Sequence, residues 1–192
     1  MCNRLSKYLN LIDGMKFPHC HFKVSAQSPG LSLSNNGKSV RKIVPENEHR
    51  TIYVDYAMKD DDIAYFHFQV DNLFPTKYVM IGIVNDGFVI NNNCYPGINS
   101  NGMAFYCASG NKYFAGASGY SSPINGNGDE IGMIVDLKTK TLTYSLNGSM
   151  IGTAFSGKDF FPSGKTWYPA IALYTAGETV TLCDVSESDT PQ

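Results

Sequence analysis

The side chains with which this 192-residue chain could do chemistry are four histidines, five cysteines and 17 acidic residues. The histidines are His19, His21, His49 and His67, all in the first third. Nucleophilic catalysis needs a Ser or Cys held beside one of them. A G-x-S-x-G elbow is missing, because Gly116 precedes Ala117-Ser118-Gly119 with the wrong spacing. Sugar hydrolysis on a β-scaffold asks for two carboxylates roughly 5–10 Å apart. No E-x-D-x-x-E array supplies them. Glu46 and Glu48 stand in a loop, Asp60–Asp62 reads as a solvated turn, and Asp129-Glu130 follows a glycine turn. His19-Cys20-His21 puts two imidazoles on one face of an extended chain. Zinc needs two further ligands, and no spaced pair matches; calcium loops of the D-x-D-x-D-G type are also missing. Gly126-Asn127-Gly128 lacks the Gly-Lys-Ser/Thr of a phosphate cradle and opens a strand. The expectation is a chain with no catalytic residue, metal or cofactor: not an enzyme.

The charge balance is 15 Lys+Arg against 17 Asp+Glu, net −2, which excludes a strongly basic nucleic-acid binder. Lys38, Arg41 and Lys42 form only a small patch. Charged residues are 17% of the chain, so Asn, Ser and Gly take up much of the surface, while 43% hydrophobic residues supply one core. The cysteines Cys2, Cys20, Cys94, Cys107 and Cys183 are odd in number and contain no C-x-x-C pair, which points to a reducing compartment. The opening MCNRLSKYLNLIDGMK has no apolar signal region or cleavage site, and no run of about 18 apolar residues follows. Position 2 is Cys rather than Gly, which excludes myristoylation. Asn147-Gly148-Ser149 fits a glycosylation sequon but reads as a hairpin turn. A cytoplasmic or nuclear chain is expected, not secreted, with neither membrane nor nucleic acid as partner.

The elements that must position any site are strands. Leu5, Tyr8, Leu9 and Ile12 have helical spacing and predict one short N-terminal helix over residues 3–12, ended by Asp13-Gly14. Beyond it come runs of Val, Ile, Thr, Tyr and Phe punctuated by turn residues. They are His21–Ser25, the hairpin LSLSNNGKSVRKIV turning at Asn36-Gly37, Thr51–Ala57, Ile63–Val70 and Tyr78–Val84. Ala104–Cys107, Lys112–Ala115, Glu130–Leu137, Thr141–Leu146, Met150–Phe155, Trp167–Tyr174 and Thr179–Asp184 complete the set. About a dozen strands without intervening helices predict an all-β antiparallel sandwich or barrel. Strands apolar on both alternating faces, such as Glu130–Leu137, belong in the middle of stacked layers. No 20–50-residue repeat and no linker of distinct composition divides the chain.

The second half then carries an ordered series: Tyr78–Val84 (YVMIGIV), Gly128-Asp129-Glu130-Ile131-Gly132 with Val135-Asp136-Leu137, Thr141–Gly148 (TLTYSLNG), Ile151–Phe155 and Tyr168-Pro169-Ala170. In this order and spacing the series resembles the SPRY domain family. Leu31–Lys42 and Tyr65–Val70 look like that family's opening strands, so the resemblance covers roughly 21–184. It implies a concanavalin-like sandwich of two stacked antiparallel sheets: a segment with a short helix over 1–18, a SPRY domain over 19–185 and a polar tail over 186–192. Each motif also has a mechanical reading. Gly128-Asp129 releases the chain into a buried strand, Gly132 allows close backbone approach, Asn147-Gly148 sets register, and Tyr168-Pro169 starts a strand. The acidic-proline signature of the longer PRY–SPRY form is not recognisable before Leu31, and the expectation is a recognition module without the RING, B-box, coiled coil or SOCS-box-like tail that many relatives carry.

What remains is recognition by loops on a rigid scaffold. Asn85–Gly102 exceeds usual loop lengths and holds Phe88, Val89, Ile90 and Tyr95, so it folds down, either as binding surface or as cover for a sheet edge. The resemblance implies a peptide pocket drawn from three stretches. These are Arg41 to Glu46, including Val44 and Pro45; the loop around Asn92 and Tyr95; and Tyr174-Thr175-Ala176. Arg41 and Pro45 match the family's Arg and Pro, whereas Thr175 replaces a Trp that relatives place in the last loop. Trp167, the single Trp, reads as packing at a strand start. The expected function is a non-enzymatic protein-interaction module, monomeric as an isolated domain, that grips a short peptide or loop of a partner protein. Tyr and Arg anchors would supply most of the energy. The alternative reading is a lectin-like carbohydrate binder.

Overall fold

Two sheets of seven antiparallel strands each lie face to face in the computed structural model of the chain, which describes residues 14–23, 29–72, 78–124 and 126–185. In chain order the strands are β1 (Phe22–Lys23), β2 (Leu31–Ser34), β3 (Ser39–Lys42), β4 (Arg50–Val54), β5 (Ile63–Asn72), β6 (Met80–Asn85) and β7 (Gly102–Tyr106). They continue as β8 (Lys112–Tyr113), β9 (Ala117–Ser118), β10 (Asp129–Asp136), β11 (Thr141–Leu146), β12 (Ser149–Ser156), β13 (Trp167–Leu173) and β14 (Thr179–Cys183). The first sheet runs β2-β3-β14-β5-β10-β11-β12 and the second β1-β4-β13-β6-β7-β8-β9. The expected helix over 3–12, the end of the first expected strand and the polar tail lie outside the described residues. No helix among the described residues is long and apolar enough to cross a membrane.

Alternation along the strands builds the layer between the sheets. Phe66, Phe68 and Val70 of β5 and Ile131, Met133 and Val135 of β10 join Ile81, Ile83, Met103, Phe105, Ile171 and Leu173 of the other sheet in one cluster, none more than 1% exposed. Each such side chain contributes about 1.5–3 kcal/mol by leaving water. Trp167 is buried against Phe161, at 5.5 Å between rings, so it is packing. Tyr144 crosses the layer and donates its hydroxyl to the Ile81 carbonyl at 3.0 Å, which satisfies its buried oxygen.

The outer faces differ. That of the first sheet is rich in hydroxyls, with Ser39–Thr181 and Thr143–Thr153 pairs at 2.8 and 3.1 Å. That of the second sheet is apolar, and the long loop between β6 and β7 folds across half of it. Phe88, Ile90 and Cys94 pack there on Val84 and Ala170, flanked by Tyr53 and Tyr168. Asn101 Nδ2 donates to the Gly87 carbonyl (3.0 Å) and Thr51 Oγ1 to the Cys94 carbonyl (2.6 Å), pinning the loop down. The loop covers a sheet face, not an edge.

Three local expectations are corrected. The first hairpin closes at Ser34↔Ser39, so its turn has four residues, and Asn35 shares the positive φ of Asn36 and Gly37 (49°, 51° and 81°). Asn147-Gly148 does form the two-residue turn, at φ 50° and 76° between Leu146 and Ser149. Pro169 is the third residue of β13, a strand paired on both sides. The ladder with β4 stops at Tyr53 and resumes only at the Met58–Trp167 bridge, so Pro169 falls where no partner requires an N–H. At Gly132 the space is taken by side chains, Ser145 and Tyr65, rather than by backbone. The close backbone approach is at Gly82 in β6, where a Cβ would collide with the Met103 carbonyl and the Ala104 Cα. Gly82→Ala is therefore expected to lower stability by about 3 kcal/mol in chemical denaturation. Gly119→Ala, at an exposed glycine with nothing within 4 Å, is expected to change it by less than about 0.5 kcal/mol.

Candidate functional site

The half of the apolar face that the loop leaves uncovered has a floor of Met80, Ala104 and Ala172, each at most 1% exposed. These come from neighbouring strands β6, β7 and β13, and small residues there leave room for large ones around them. Alternation puts Tyr106 at the end of β7 and Tyr113 in β8 on the same side as Ala104. Tyr174 continues the outward series of β13 after Ala172. Tyr78 precedes β6, His49 precedes β4, and Tyr95 descends from the long loop.

These six rings form a closed circuit. Between centroids, His49 lies 4.7 Å from Tyr95 and 4.8 Å from Tyr174. Tyr174 is 5.0 Å from Tyr78, Tyr78 is 6.0 Å from Tyr106, Tyr106 is 5.4 Å from Tyr113, and Tyr113 is 6.1 Å from Tyr95. Three of the contacts are edge-on, at 82–86° between planes, a geometry aromatic quadrupoles favour. All six are partly exposed over a fully buried floor, so the surface offers ring edges and hydroxyls.

The main chain behind the rings is held by buried charge. Glu178, fully buried, accepts from Tyr174 N at 2.7 Å, Thr175 N at 2.9 Å and Tyr78 N at 3.2 Å. Burial pushes its carboxyl above the usual carboxylate range, against the pull of those three N–H groups. Lys42, also fully buried, donates to the carbonyls of Val44 (3.2 Å) and Glu46. Burial, with Arg50 nearby, lowers its pKa. His49 N donates to Asn93 Oδ1 and Asn93 N to the His49 carbonyl, both at 3.1 Å, tying the long loop to the start of β4.

The residues expected at the site fall into two groups. Tyr95 and Tyr174 meet on either side of His49, with Thr175 and Ala176 in the part-exposed turn that follows. Val44, half-buried against Gly30, and exposed Pro45 and Glu46 form the segment between Lys42 and His49. Asn92 is exposed, and its neighbour Asn93 makes the bonds to His49. Arg41 is not brought to the rings: Val40 and Lys42 are buried, so alternation turns Arg41 to the outer side of the first sheet. His49, Tyr78, Tyr106, Tyr113, Lys42 and Glu178 were not anticipated. For Tyr106 and Tyr113 a signal existed, since each adjoins or pairs with a core strand position at outward parity. For Glu178 none did.

Burial depresses the His49 pKa to about 4, with Lys42 adding to the effect. A histidine near 6.5 when unfolded and near 4 when folded stabilises the fold fully above about pH 6.5, and that contribution is lost as pH falls towards 4. Between pH 7 and 4.5, wild type is expected to lose about 2 kcal/mol more stability than His49→Phe in urea unfolding.

Comparison with known proteins gives the same scaffold. The family model described as "SPRY domain" matches residues 63–185. Ran-binding protein 9 of Xenopus laevis is 30% identical over 119 residues, 62% of this chain and 20% of that protein. Ran-binding protein 10 of Danio rerio is also 30% identical over 119 residues, 62% of this chain and 18% of its own length. The chain thus spans about a fifth of these relatives. Among solved structures, the SPRY domain of human HERC1 superposes with a TM-score of 0.66 at 18% identity, covering 83% of this chain and 97% of that one. The TRIM65 PSpry domain superposes at 0.68 with 12% identity, covering 88% and 90%. Those two likenesses establish the fold, and the matched motif series from β5 to β14 establishes the family: this chain belongs to the SPRY domain family of protein-interaction modules.

Proposed function

We propose that residues 19–185 act as a non-enzymatic recognition domain that binds a short peptide or exposed loop of a partner protein on the aromatic surface and the segments bordering it. The observation that carries this reading is the closed circuit of five tyrosines and His49, which joins stretches of chain up to 125 positions apart on one face. Tyrosine presents a large apolar body at low conformational cost and keeps a hydroxyl for hydrogen bonding, the combination that recognition surfaces enrich. Exposed Asn91 and Asn92 beside Tyr95 offer amides to a partner's main chain. Half-buried rings over a fixed floor lose little freedom on binding, so contact area converts into affinity efficiently.

Selection of a phage-displayed random-peptide library on the domain tests this reading. Enriched peptides are expected to lose roughly 30-fold in affinity, about 2 kcal/mol, with Tyr95→Ala or Tyr174→Ala. Retention of full affinity by both variants would reject the surface. The same variants on a calcium-free glycan array test the carbohydrate alternative: binding there, with no peptide enriched, would replace the peptide reading.

A further inference from the structure

Glu178 and Lys42 are ionisable side chains of opposite charge with no solvent exposure, yet each directs hydrogen bonds at main chain. Glu178 bridges two stretches of chain about a hundred positions apart. One carboxylate oxygen receives Tyr174 N and Thr175 N, and the other receives Tyr78 N. Lys42 Nζ holds the carbonyls of Val44 and Glu46 in the segment that leads from β3 to His49. The two residues are locked side by side, because Lys42 N donates to the Glu178 carbonyl (3.1 Å) and Gly177 N to that of Lys42 (2.7 Å).

Stability alone does not account for such an arrangement. Desolvating two ions is costly, and replacing a buried charged pair with apolar side chains of similar volume is often neutral or stabilising. What apolar residues cannot do is accept three N–H groups from two directions. A glutamine cannot do it either, since its amide has one accepting oxygen and an NH2 that would face a donor. The carboxylate is required at the point where the backbones of two ring-bearing residues converge.

We propose that Glu178, assisted by Lys42, is a positioning residue of the aromatic surface: its carboxylate sets the spacing of Tyr78 and Tyr174, and Lys42 sets the height of the Val44–Glu46 segment beside them. The inference rests on reading that surface as the binding site, and it adds which residues preorganise it. Neither side chain touches the ligand.

The test combines amide hydrogen exchange with binding of the peptide that the random library enriches on the wild-type domain. In wild type the amides of Tyr78, Tyr174 and Thr175 are expected to be as protected as those of the β5–β10 ladder. In E178Q they are expected to exchange at least tenfold faster while the ladder is unchanged, with peptide affinity falling about tenfold. The double variant K42M/E178M separates positioning from mere stability: it is expected to melt near the wild-type temperature while affinity stays at least tenfold down. Wild-type amides exchanging like an open loop, or K42M/E178M binding the peptide within twofold of wild type, would overturn the proposal. Should E178Q fail to fold, wild-type exchange and the double variant decide. Should the library enrich nothing, the reading of the surface falls, whereas the exchange comparison still decides the role of Glu178.

Discussion

A sheet that is apolar on both faces cannot leave either one open to water, and the second sheet of this sandwich is such a sheet. Its inner face closes against the first sheet through Ile81, Ile83, Met103, Phe105, Ile171 and Leu173. Its outer face carries Val84, Ala170, Met80, Ala104 and Ala172, which also lie at or near zero exposure. Covering that outer face requires material from outside the ladders, and two kinds are used. Phe88, Ile90 and Cys94 of the long loop cover one half, and a circuit of aromatic rings covers the other. The candidate site is thus the consequence of a packing requirement, met with side chains that remain partly wet.

The two covers differ in how they are anchored. The loop is held by amide hydrogen bonds from Asn101 and by Thr51, groups that cost little to bury once paired. Tyr78 and Tyr174 stand on backbone held by Glu178, while Lys42 holds the Val44–Glu46 segment, and both side chains have to be desolvated as ions. Charge-assisted bonds are stronger and more directional than neutral ones. At Tyr78 and Tyr174 they fix the main chain that carries two of the exposed rings. His49 belongs to the same economy of water exclusion: wedged between Tyr95 and Tyr174, it is kept neutral by burial.

Membership of the SPRY family describes this scaffold, while recognition depends on what the loops and outer face carry. Arg41 illustrates the distinction. The resemblance would give it a place in the binding site, yet strand parity turns it to the outer side of the first sheet, and it is the next residue, Lys42, that is buried. In the turn after β13, Tyr174 rather than Thr175 supplies the ring that meets His49. The rings that this face presents are therefore tyrosines arranged by this chain's own strand ends.

Much was legible from the residues alone because strand periodicity is local. Alternating Val, Ile, Tyr and Phe between turn residues mark the strands, and Asn147-Gly148 marks its tight turn, since those signals act over a few bonds. Burial at Phe66, Met133 or Trp167 follows from the same patterns. Other features are set by groups that meet only after folding. Pro169 is tolerated inside β13 because a partner strand breaks off opposite it, and Gly82 is needed because a neighbouring backbone arrives there. The circuit from His49 to Tyr174 joins residues up to 125 positions apart, and the Glu178 carboxylate spans 100. Most strands and the Asn147-Gly148 turn were determined by the sequence itself, through short-range sterics and hydrophobic alternation. Which tyrosines share a face, which charge lies beneath them and what covers the second sheet were decided by tertiary structure, because each depends on distances between segments that no local pattern encodes.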